Sequence, residues 1–441
     1  MNFTLPQKII IGVVAAVILF FVAGYLGLIP GFLKDQTPNP PQIDLEVWGI
    51  ESRDVFNNSV NAYRNFRTNV DVNYKQINPA EYESELINAF AAGKGPDVFE
   101  IHNTWLPKHY DKMSPVTDAQ FTLASLREKF PTVVEQDFAP NKVIFALPLY
   151  IDTLAFYYNY DIFDSAGIAK PPVTWEEFQN LIPKLRRLDK SGNFTRYPAA
   201  IGGSFTSMDT ASDLLSLFML QNGTTMTDYN FTRAAFADRY YISEENQFPG
   251  FNALNFYTKF ANKKGIYYSW DGKANALESF SQGKTVMMFD YYGRKKVVES
   301  MNPYLKFRVG PMMQLKKDDI DVNYPSYLGL GVSKESKIPE WAWDFSIYIT
   351  TDEGSSNQYL EAANHPPALR SLINNYLADP ELGFLAKQAL SARSWPQIDN
   401  NFINQVFSDM IDNVNQGKLD TATAIEQAAS QVTDLMEKRA Q

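Results

Sequence analysis

Residues 43–101 read IDLEVWGIESRDVFNNSVNAYRNFRTNVDVNYKQINPAEYESELINAFAAGKGPDVFEI, and the spacing of their apolar side chains changes along the stretch. Ile43, Leu45 and Val47 alternate with acidic residues, which predicts a β-strand. Apolar residues recur at helical spacing in 56–66, alternate in 70–74, return to helical spacing in 82–90 and run together in 98–101. This strand–helix–strand–helix–strand order predicts right-handed crossovers and a parallel sheet.

Polar and aromatic side chains follow two of the predicted strands. Residues 48–51 come after the first strand, and residues 102–105 come after the third. Ligands of α/β sheets bind beyond the carboxyl ends of the parallel strands. We therefore expect a ligand cleft at this edge of the sheet.

Helix signals continue through the rest of the chain. Thr174 and Glu177 form a capping box that predicts a helix start. The apolar residues of 402–414 recur at helical spacing before Gly417, and Asp420 is placed to cap another helix. The C-terminal hundred residues are therefore expected to be mostly helical.

The N-terminal region contains a segment that can cross a membrane. Residues 9–29 are 21 residues without a charge, and a helix of that length is about 31 Å long, close to a hydrocarbon core of about 30 Å. A small-x-small cleavage site does not interrupt the segment, so we expect an uncleaved signal-anchor. Lys8 precedes it, which predicts a cytoplasmic N-terminus and an extracellular or periplasmic body. Residues 30–42 are rich in proline and predict an extended linker.

The composition of the chain excludes several classes of function. The 441 residues include no cysteine, which removes disulfides, thiolate nucleophiles, cysteine-ligated metals and a cysteine lipid anchor. Only three histidines occur, so a multi-histidine metal site would use nearly all of them. Fifty acidic residues against 40 basic ones argue against a nucleic-acid partner. We expect no cofactor and no resident metal.

Several segments together resemble the extracellular solute-binding proteins of ABC importers, in the branch of the maltose- and sugar-binding proteins. The similar segments are AAGKGPDV at 91–98, LPLY at 147–150, DTLAFYYN at 152–159, AGI at 166–168, PPVTWEEF at 171–178, FSQGKTVMM at 280–288 and ITTDEG at 349–354. Their order covers roughly residues 43–438. The chain departs from the family pattern in lacking the lipid-bearing cysteine, and in carrying Asp290-Tyr291-Tyr292-Gly293 where sugar binders often have a Gly-Pro-Trp-like run.

The resemblance implies an α/β, two-lobed, periplasmic-binding-protein-like (type II) fold with a ligand cleft at the interlobe hinge, preceded by one transmembrane helix. The chain would then consist of a cytoplasmic stub (1–8), a transmembrane signal-anchor (9–29), a linker (30–42), a first lobe (43–150 and 328–366) and a second lobe (151–327 and 367–441). The resemblance places the crossings between the lobes near 150–154, 325–329 and 365–369.

The function implied by the resemblance is the capture of a small polar solute, with a sugar or oligosaccharide as first choice, and its delivery to the permease subunits of an ABC importer. The protein would be a monomer and would not be an enzyme. Sugars need aromatic faces and forked polar groups. The candidate ligand-binding residues, chosen for those properties near the strand ends and crossings, are Trp48, Glu51, Asn103, Trp105, Tyr150, Asp152, Tyr291, Tyr292, Tyr327 and Arg370.

Three other functions stay open at this point. Adjacent tyrosine pairs, such as Tyr157-Tyr158 and Tyr291-Tyr292, suit a ferric-iron-binding relative, and polyamine binding belongs to the same class of fold. A glycosidase would need two carboxylates about 5 to 10 Å apart across a cleft. The chain could also be an adhesin or sensory module that keeps the same fold but passes its ligand to a membrane partner other than a transporter.

Overall fold

The structure, a computed structural model, describes residues 4–25, 28–29, 41–242, 245–316 and 320–440. The helices are α1 Leu5–Tyr25, α2 Arg53–Phe66, α3 Tyr82–Ala91, α4 Leu106–His109, α5 Leu123–Lys129, α6 Thr132–Phe138, α7 Tyr160–Ser165, α8 Trp175–Leu185, α9 Ala211–Gln221, α10 Pro249–Thr258, α11 Ala276–Ser281, α12 Lys295–Met301, α13 Pro339–Thr351, α14 Glu353–Ala363, α15 Arg370–Tyr376, α16 Gly383–Leu390, α17 Asn400–Asn415 and α18 Thr421–Ala440. The strands are β1 Ile43–Gly49, β2 Val70–Gln76, β3 Val98–His102, β4 Met113–Ser114, β5 Ala146–Pro148, β6 Asp152–Asn159, β7 Arg187–Leu188, β8 Phe194–Ala199, β9 Tyr240–Ile242, β10 Glu245–Gln247, β11 Thr285–Tyr291, β12 Phe307–Gly310, β13 Pro325–Ser326 and β14 Leu328–Ser333.

The first sheet has the strand order β2-β1-β3-β14-β4, with β5 also paired to β14. β1 is parallel to both β2 and β3, as the spacing of apolar residues predicts. β14 is antiparallel to β3, β4 and β5, so the complete sheet is mixed. The antiparallel strand arises because β14 enters this sheet after the chain has passed through a second one.

The second sheet has the order β12-β6-β11-β8-β7, with β13 also paired to β6. β6 is antiparallel to β11 and β12, whereas β8 is parallel to β11. Each sheet packs against its own helices in a separate cluster of buried apolar side chains. We call the cluster around the first sheet the first core and the cluster around the second sheet the second core.

The chain passes between the two sheets where β5 leads to β6 and where β13 leads to β14. A third passage lies in the C-terminal part, where Leu369 and Ile373 still pack in the first core and Leu382 packs in the second. The first core thus includes residues beyond position 366, and the lobe limits derived from the sequence stay a prediction. The two-sheet α/β architecture itself agrees with the predicted fold class.

Local signals in the sequence account for two helix boundaries. The Thr174 hydroxyl oxygen accepts a hydrogen bond from the Glu177 backbone N–H at 3.2 Å, and the Glu177 carboxylate accepts one from the Val173 N–H at 2.8 Å. Helix α17 is followed by Gly417, whose φ of 67° is one that L side chains rarely adopt. Both ends were predicted from residue type alone.

Helix α1 is long and apolar enough to cross a membrane, and nearly all of its described residues are exposed. It begins at Leu5 and ends at Tyr25, four residues earlier at each end than the segment 9–29 predicted from charge. Residues 26, 27 and 30–40 lie outside the described residues. The predicted linker therefore stays a prediction.

Candidate functional site

The three passages between the sheets lie close together. In the pairing of β13 with β6, Ser326 is the partner of Asp152, and Tyr150 forms a bridge with Pro367. Residues that are far apart in sequence therefore meet on a narrow neck between the cores. The side chains around this neck are those of Glu51, Tyr150, Asp152, Tyr291, Tyr292 and His365, and we call them the neck cluster.

On the first-core side, Tyr150 and His365 stack with ring centroids 4.1 Å apart and an angle of 12° between the rings. His365 Nε2 lies 3.0 Å from Glu51 Oε1. Glu51 is positioned by the turn that follows β1, which is the strand end where the sequence predicts ligand contacts. Tyr150, Glu51 and the unpredicted His365 therefore form one contiguous group.

Asp152 links this group to the second core. Its carboxylate accepts hydrogen bonds from the backbone N–H groups of Tyr292 at 3.3 Å and Gly293 at 3.1 Å, both just after β11. Burial raises the pKa of Asp152 to about 6, while the Gly293 bond opposes that shift. The Asp152 side chain is therefore buried at the neck between the two cores, and an electrostatic interaction with His365 also lowers its pKa.

Tyr291, the last residue of β11, and Tyr292, directly after it, contact different partners. The Tyr292 hydroxyl donates to the Glu381 carboxylate, which also contacts Lys295 Nζ. The Tyr291 hydroxyl donates to Asp213 Oδ2 at 2.8 Å. Because Asp213 lies on α9 in the second core, Tyr291 is held within that core while its body faces the neck.

A cavity of about 130 Å³ opens beside Tyr291. The side chains around it come from both cores and from the neck: His102, Thr104, Asp213, Tyr291, Tyr324, Pro325, Ser326, Gln397, Asn400 and Asn404. We call it the neck cavity. Its walls are mostly hydrogen-bonding groups, which suit a polar molecule.

The ionisable groups of the neck cavity have shifted pKa values. Burial lowers the pKa of His102 to about 4, so its imidazole is neutral at pH 7. His102 Nε2 lies 2.9 Å from Ser326 Oγ, and Nδ1 lies 2.9 Å from Thr104 Oγ1. Burial raises the pKa of Asp213 to about 6, with the Tyr291 hydrogen bond acting in the opposite direction. At pH 7 the cavity therefore presents the neutral imidazole of His102 together with the largely ionised carboxylate of Asp213.

Two wall residues add polar atoms from the C-terminal region. Gln397 Nε2 donates to the Tyr324 hydroxyl at 3.0 Å. Asn400 Oδ1 is buried and has no hydrogen-bond partner in the part of the chain that the structure describes. An unsatisfied buried amide oxygen beside a cavity can accept a hydrogen bond from a bound hydroxyl or amine.

Asn103 and Tyr327 belong to a separate buried network. Asp137 accepts from Asn103 Nδ2 at 3.1 Å and from the Tyr327 hydroxyl at 2.7 Å, and it also contacts the Ser394 hydroxyl. Burial raises the pKa of Asp137 to about 7, with the hydrogen bond from Ser394 opposing the shift. This network joins α6 of the first core to the segment before α17.

Three predicted residues lie apart from the neck cluster. Trp48 is covered by Lys75, whose Nζ is 3.9 Å from the ring centroid. Arg370 Nε donates to the Phe130 carbonyl at 2.9 Å within the first core. Trp105 is half-buried against Tyr82, and its ring centroid is 5.9 Å from that of His102. It therefore lies next to the neck cavity but does not form part of its wall.

Several residues of the neck cavity were not predicted. Asp213 lies on α9, and Asn400 and Asn404 lie on α17, far from the strand ends on which the prediction relied. No periodicity or motif marks them, since they meet the neck only through the packing of the second core. A group of three or more His, Asp or Glu side chains suited to a metal does not occur among the described residues.

Comparisons with known proteins agree with this architecture. The solute-binding protein from Thermotoga lettingae, determined with α-D-tagatose, has 20% identity and a TM-score of 0.68, with 89% of this chain and 100% of that one covered. The cyclic α-maltosyl-1,6-maltose-binding protein from Arthrobacter globiformis has 15% identity and a TM-score of 0.75, with 90% and 100% covered.

The sugar-binding protein from Xanthomonas citri has 18% identity and a TM-score of 0.71, with 90% of this chain and 98% of that one covered. At these identities the likeness establishes the fold, and all three proteins share the two-lobed type II architecture. A family model for bacterial extracellular solute-binding proteins matches residues 50–355, which is more than half of the chain. The chain therefore belongs to the family of bacterial extracellular solute-binding proteins.

Proposed function

We propose that the protein binds a sugar or oligosaccharide between its two lobes outside the cell and delivers it unaltered to the permease subunits of an ABC importer. In this proposal the protein is a monomer. Helix α1 anchors it in the cell membrane as a single-pass signal-anchor. The predicted lobe limits and ligand-binding residues are part of the proposal.

The observation that carries the proposal is the neck cavity, because side chains of both cores surround it. His102 and Thr104 come from the end of the first sheet, whereas Asp213 and Tyr291 come from the second core. A solute that contacts both sets favours the arrangement in which the cores are close together. A permease could then distinguish the ligand-bound protein by this close arrangement of the two cores.

The chemistry of the walls supports a neutral, hydroxyl-rich solute. Tyrosine, asparagine, glutamine and serine side chains supply both donors and acceptors, and His102 is uncharged at pH 7. A buried sugar hydroxyl must replace its bonds to water with such groups. The Thermotoga lettingae protein of the same fold was determined with α-D-tagatose, which is consistent with this choice.

A thermal-shift screen of the full chain in detergent tests the proposal. A sugar present at 100 times its dissociation constant adds about 2.7 kcal/mol of stability. Replacing Tyr291 by alanine should weaken binding of the responding sugar roughly tenfold or more, because it removes a ring and a hydroxyl from the cavity wall. Tyr304→Ala is the matched control, since that side chain is 93% exposed in the same lobe.

The same screen separates the alternatives. A response to spermidine or putrescine and to no sugar would replace the sugar with a polyamine, and a response to ferric citrate would indicate iron. Release of a new sugar product during the incubation would identify an enzyme. Equal effects of Tyr291→Ala and Tyr304→Ala would show that the neck cavity is not the binding site.

A further inference from the structure

A basic surface lies at the outer edge of the second sheet. It combines the end of α8 and the β7–β8 hairpin with the loop after α10. Five exposed cations lie on these segments, Lys184, Arg187, Lys190, Lys263 and Lys264, and Lys263 and Lys264 line a groove together with the exposed apolar side chains Leu188 and Ile266. We call these seven residues the basic patch. The groove between the two segments encloses about 290 Å³.

The cations of the basic patch are not neutralised by neighbouring carboxylates. None of the five lies within ion-pair distance of an acidic side chain in the described parts of the chain. Arg187 donates instead to the carbonyls of Lys184 and Arg186 at 2.8 Å. The one acid within the hairpin, Asp189, accepts from the backbone N–H groups of Ser191 and Asn193.

This concentration of charge contrasts with the rest of the protein, whose net charge is −10. A further cation of the hairpin lies close to the basic patch, because burial and then the charge of Arg187 lower the pKa of Arg196. Holding like charges together is unfavourable unless an anion covers them. A partner with many negative charges therefore fits this surface.

The apolar side chains narrow the choice of partner. Ile266 is 66% exposed and Leu188 is 41% exposed, and both project among the cations. Exposed aliphatic side chains ringed by lysine and arginine suit a bilayer interface, where the cations meet anionic headgroups and the aliphatic groups enter the headgroup–acyl boundary. A soluble polyanion would use the charges and leave both apolar side chains in water.

The position of the basic patch also suits a membrane. β8 is parallel to β11, whose carboxyl end lies at the neck, so the amino end of β8 with its hairpin is at the opposite end of the second lobe. The chain enters the first lobe at the amino end of β1, which likewise faces away from the neck. The attachment point and the basic patch therefore lie at opposite ends of the body.

We propose that the basic patch binds the anionic lipid surface of the membrane in which α1 is anchored, an inference that rests on the proposed anchoring but not on the identity of the solute. The 17 residues between the end of α1 at Tyr25 and the start of β1 at Ile43 can span at most about 60 Å. This tether keeps the body close to the bilayer, so that a weak surface contact is sufficient to dock it. Contact through the basic patch holds the two lobes along the membrane plane.

The absence of cysteine makes a site-specific test direct. The full chain carrying Ile266→Cys is labelled with an environment-sensitive fluorophore and reconstituted into vesicles of phosphatidylcholine alone or with one-third phosphatidylglycerol. We expect a blue shift, with quenching by brominated lipid, only in the phosphatidylglycerol vesicles. In the triple variant Lys190→Gln/Lys263→Gln/Lys264→Gln, each substitution should weaken binding to the phosphatidylglycerol vesicles about fivefold. High salt should abolish this binding.

A second labelling site and a soluble polyanion provide the controls. Tyr110→Cys, at a residue of the first lobe that is 56% exposed, should give no shift in either vesicle. Equal signals in the two lipids, an equal shift at position 110, or the same shift on adding inorganic polyphosphate to neutral vesicles would each overturn the proposal. Co-flotation of the unlabelled chain with vesicles reports anchoring by α1 separately, so failure of the anchor is distinguished from failure of the basic patch.

Discussion

Replacing Glu100 by glutamine should stabilise the folded protein at pH 8 and remove part of its pH dependence. Glu100 lies in the centre of β3 and is 2% exposed. Its Oε2 accepts a hydrogen bond from the Ile50 N–H at 2.8 Å. No lysine, arginine or histidine in the described residues forms an ion pair with it. The carboxylate form is therefore buried without a counter-charge.

The magnitude follows from the difference between the folded and unfolded pKa values. Burial raises the pKa of Glu100 from 4.5 to about 8, and the charge of Glu51 adds to the shift. The folded state therefore holds the proton more tightly than the unfolded state. The stability that this proton provides is complete below pH 4.5 and is lost as the pH rises towards 8. Between these limits the free energy of unfolding should fall by about 1.4 kcal/mol per pH unit from this group.

Urea unfolding of the full chain in detergent, followed at pH 5, 6.5 and 8, measures the effect. Glutamine keeps an acceptor for the Ile50 N–H and cannot ionise, so Glu100→Gln and the parent should be similar at pH 5 and should diverge by a few kcal/mol at pH 8. Glu46→Gln, at an exposed position of β1, controls for the loss of one negative charge. A variant as pH-dependent as the parent, or less stable than it at pH 8, would refute the reasoning.

Two further changes test the packing and the capping of the second lobe. Gly250→Ala should lower the free energy of unfolding by at least about 1–3 kcal/mol, because a Cβ there would lie 1.9 Å from the Phe236 carbonyl oxygen. Gly310→Ala is the control, since no atom lies within 4 Å of the Cβ that it adds. Equal melting temperatures for the two variants would contradict the expectation. Thr174→Ala should lower the free energy of unfolding by about 1 kcal/mol, since it removes the acceptor for the Glu177 N–H. Thr174→Ser, measured in the same unfolding assay, should retain most of the stability of the parent. A Thr174→Ser variant as unstable as Thr174→Ala would assign the effect to packing of the threonine methyl group.

The fold was predictable where it depends on local pattern. The strands at Ile43 and Val70 and the cap at Thr174 are encoded by residues within a few positions of one another. The position of β14 in the first sheet could not be predicted from local pattern, because its antiparallel pairing with β3 joins residues more than 200 positions apart. Only the resemblance to a family indicated that the chain would return to its first sheet.

The residues of the candidate site likewise fall into those that local sequence predicts and those that it does not. Glu51, Tyr150 and Asp152 were predicted because they follow a strand or lie in a recognisable segment, and they meet at the neck. Asp213 and Asn400 were missed because each lies on a helix of the second core whose sequence shows only ordinary amphipathic spacing. Their position beside Tyr291 depends on how α9 and α17 pack.

The neck holds two buried carboxyl groups whose charge depends on pH between about pH 5 and pH 7. Asp152 and Asp213 are both buried near the passages between the sheets, and burial raises the pKa of each to about 6. Each also accepts hydrogen bonds, from backbone N–H groups in the first case and from the Tyr291 hydroxyl in the second. A carboxyl group with such a pKa is about half ionised at pH 6 and largely ionised at pH 7, where its hydrogen bonds stabilise the charge. Of the two groups, Asp213 lies on the wall of the neck cavity, so its carboxylate can accept a hydrogen bond from a solute hydroxyl group in addition to the one from Tyr291.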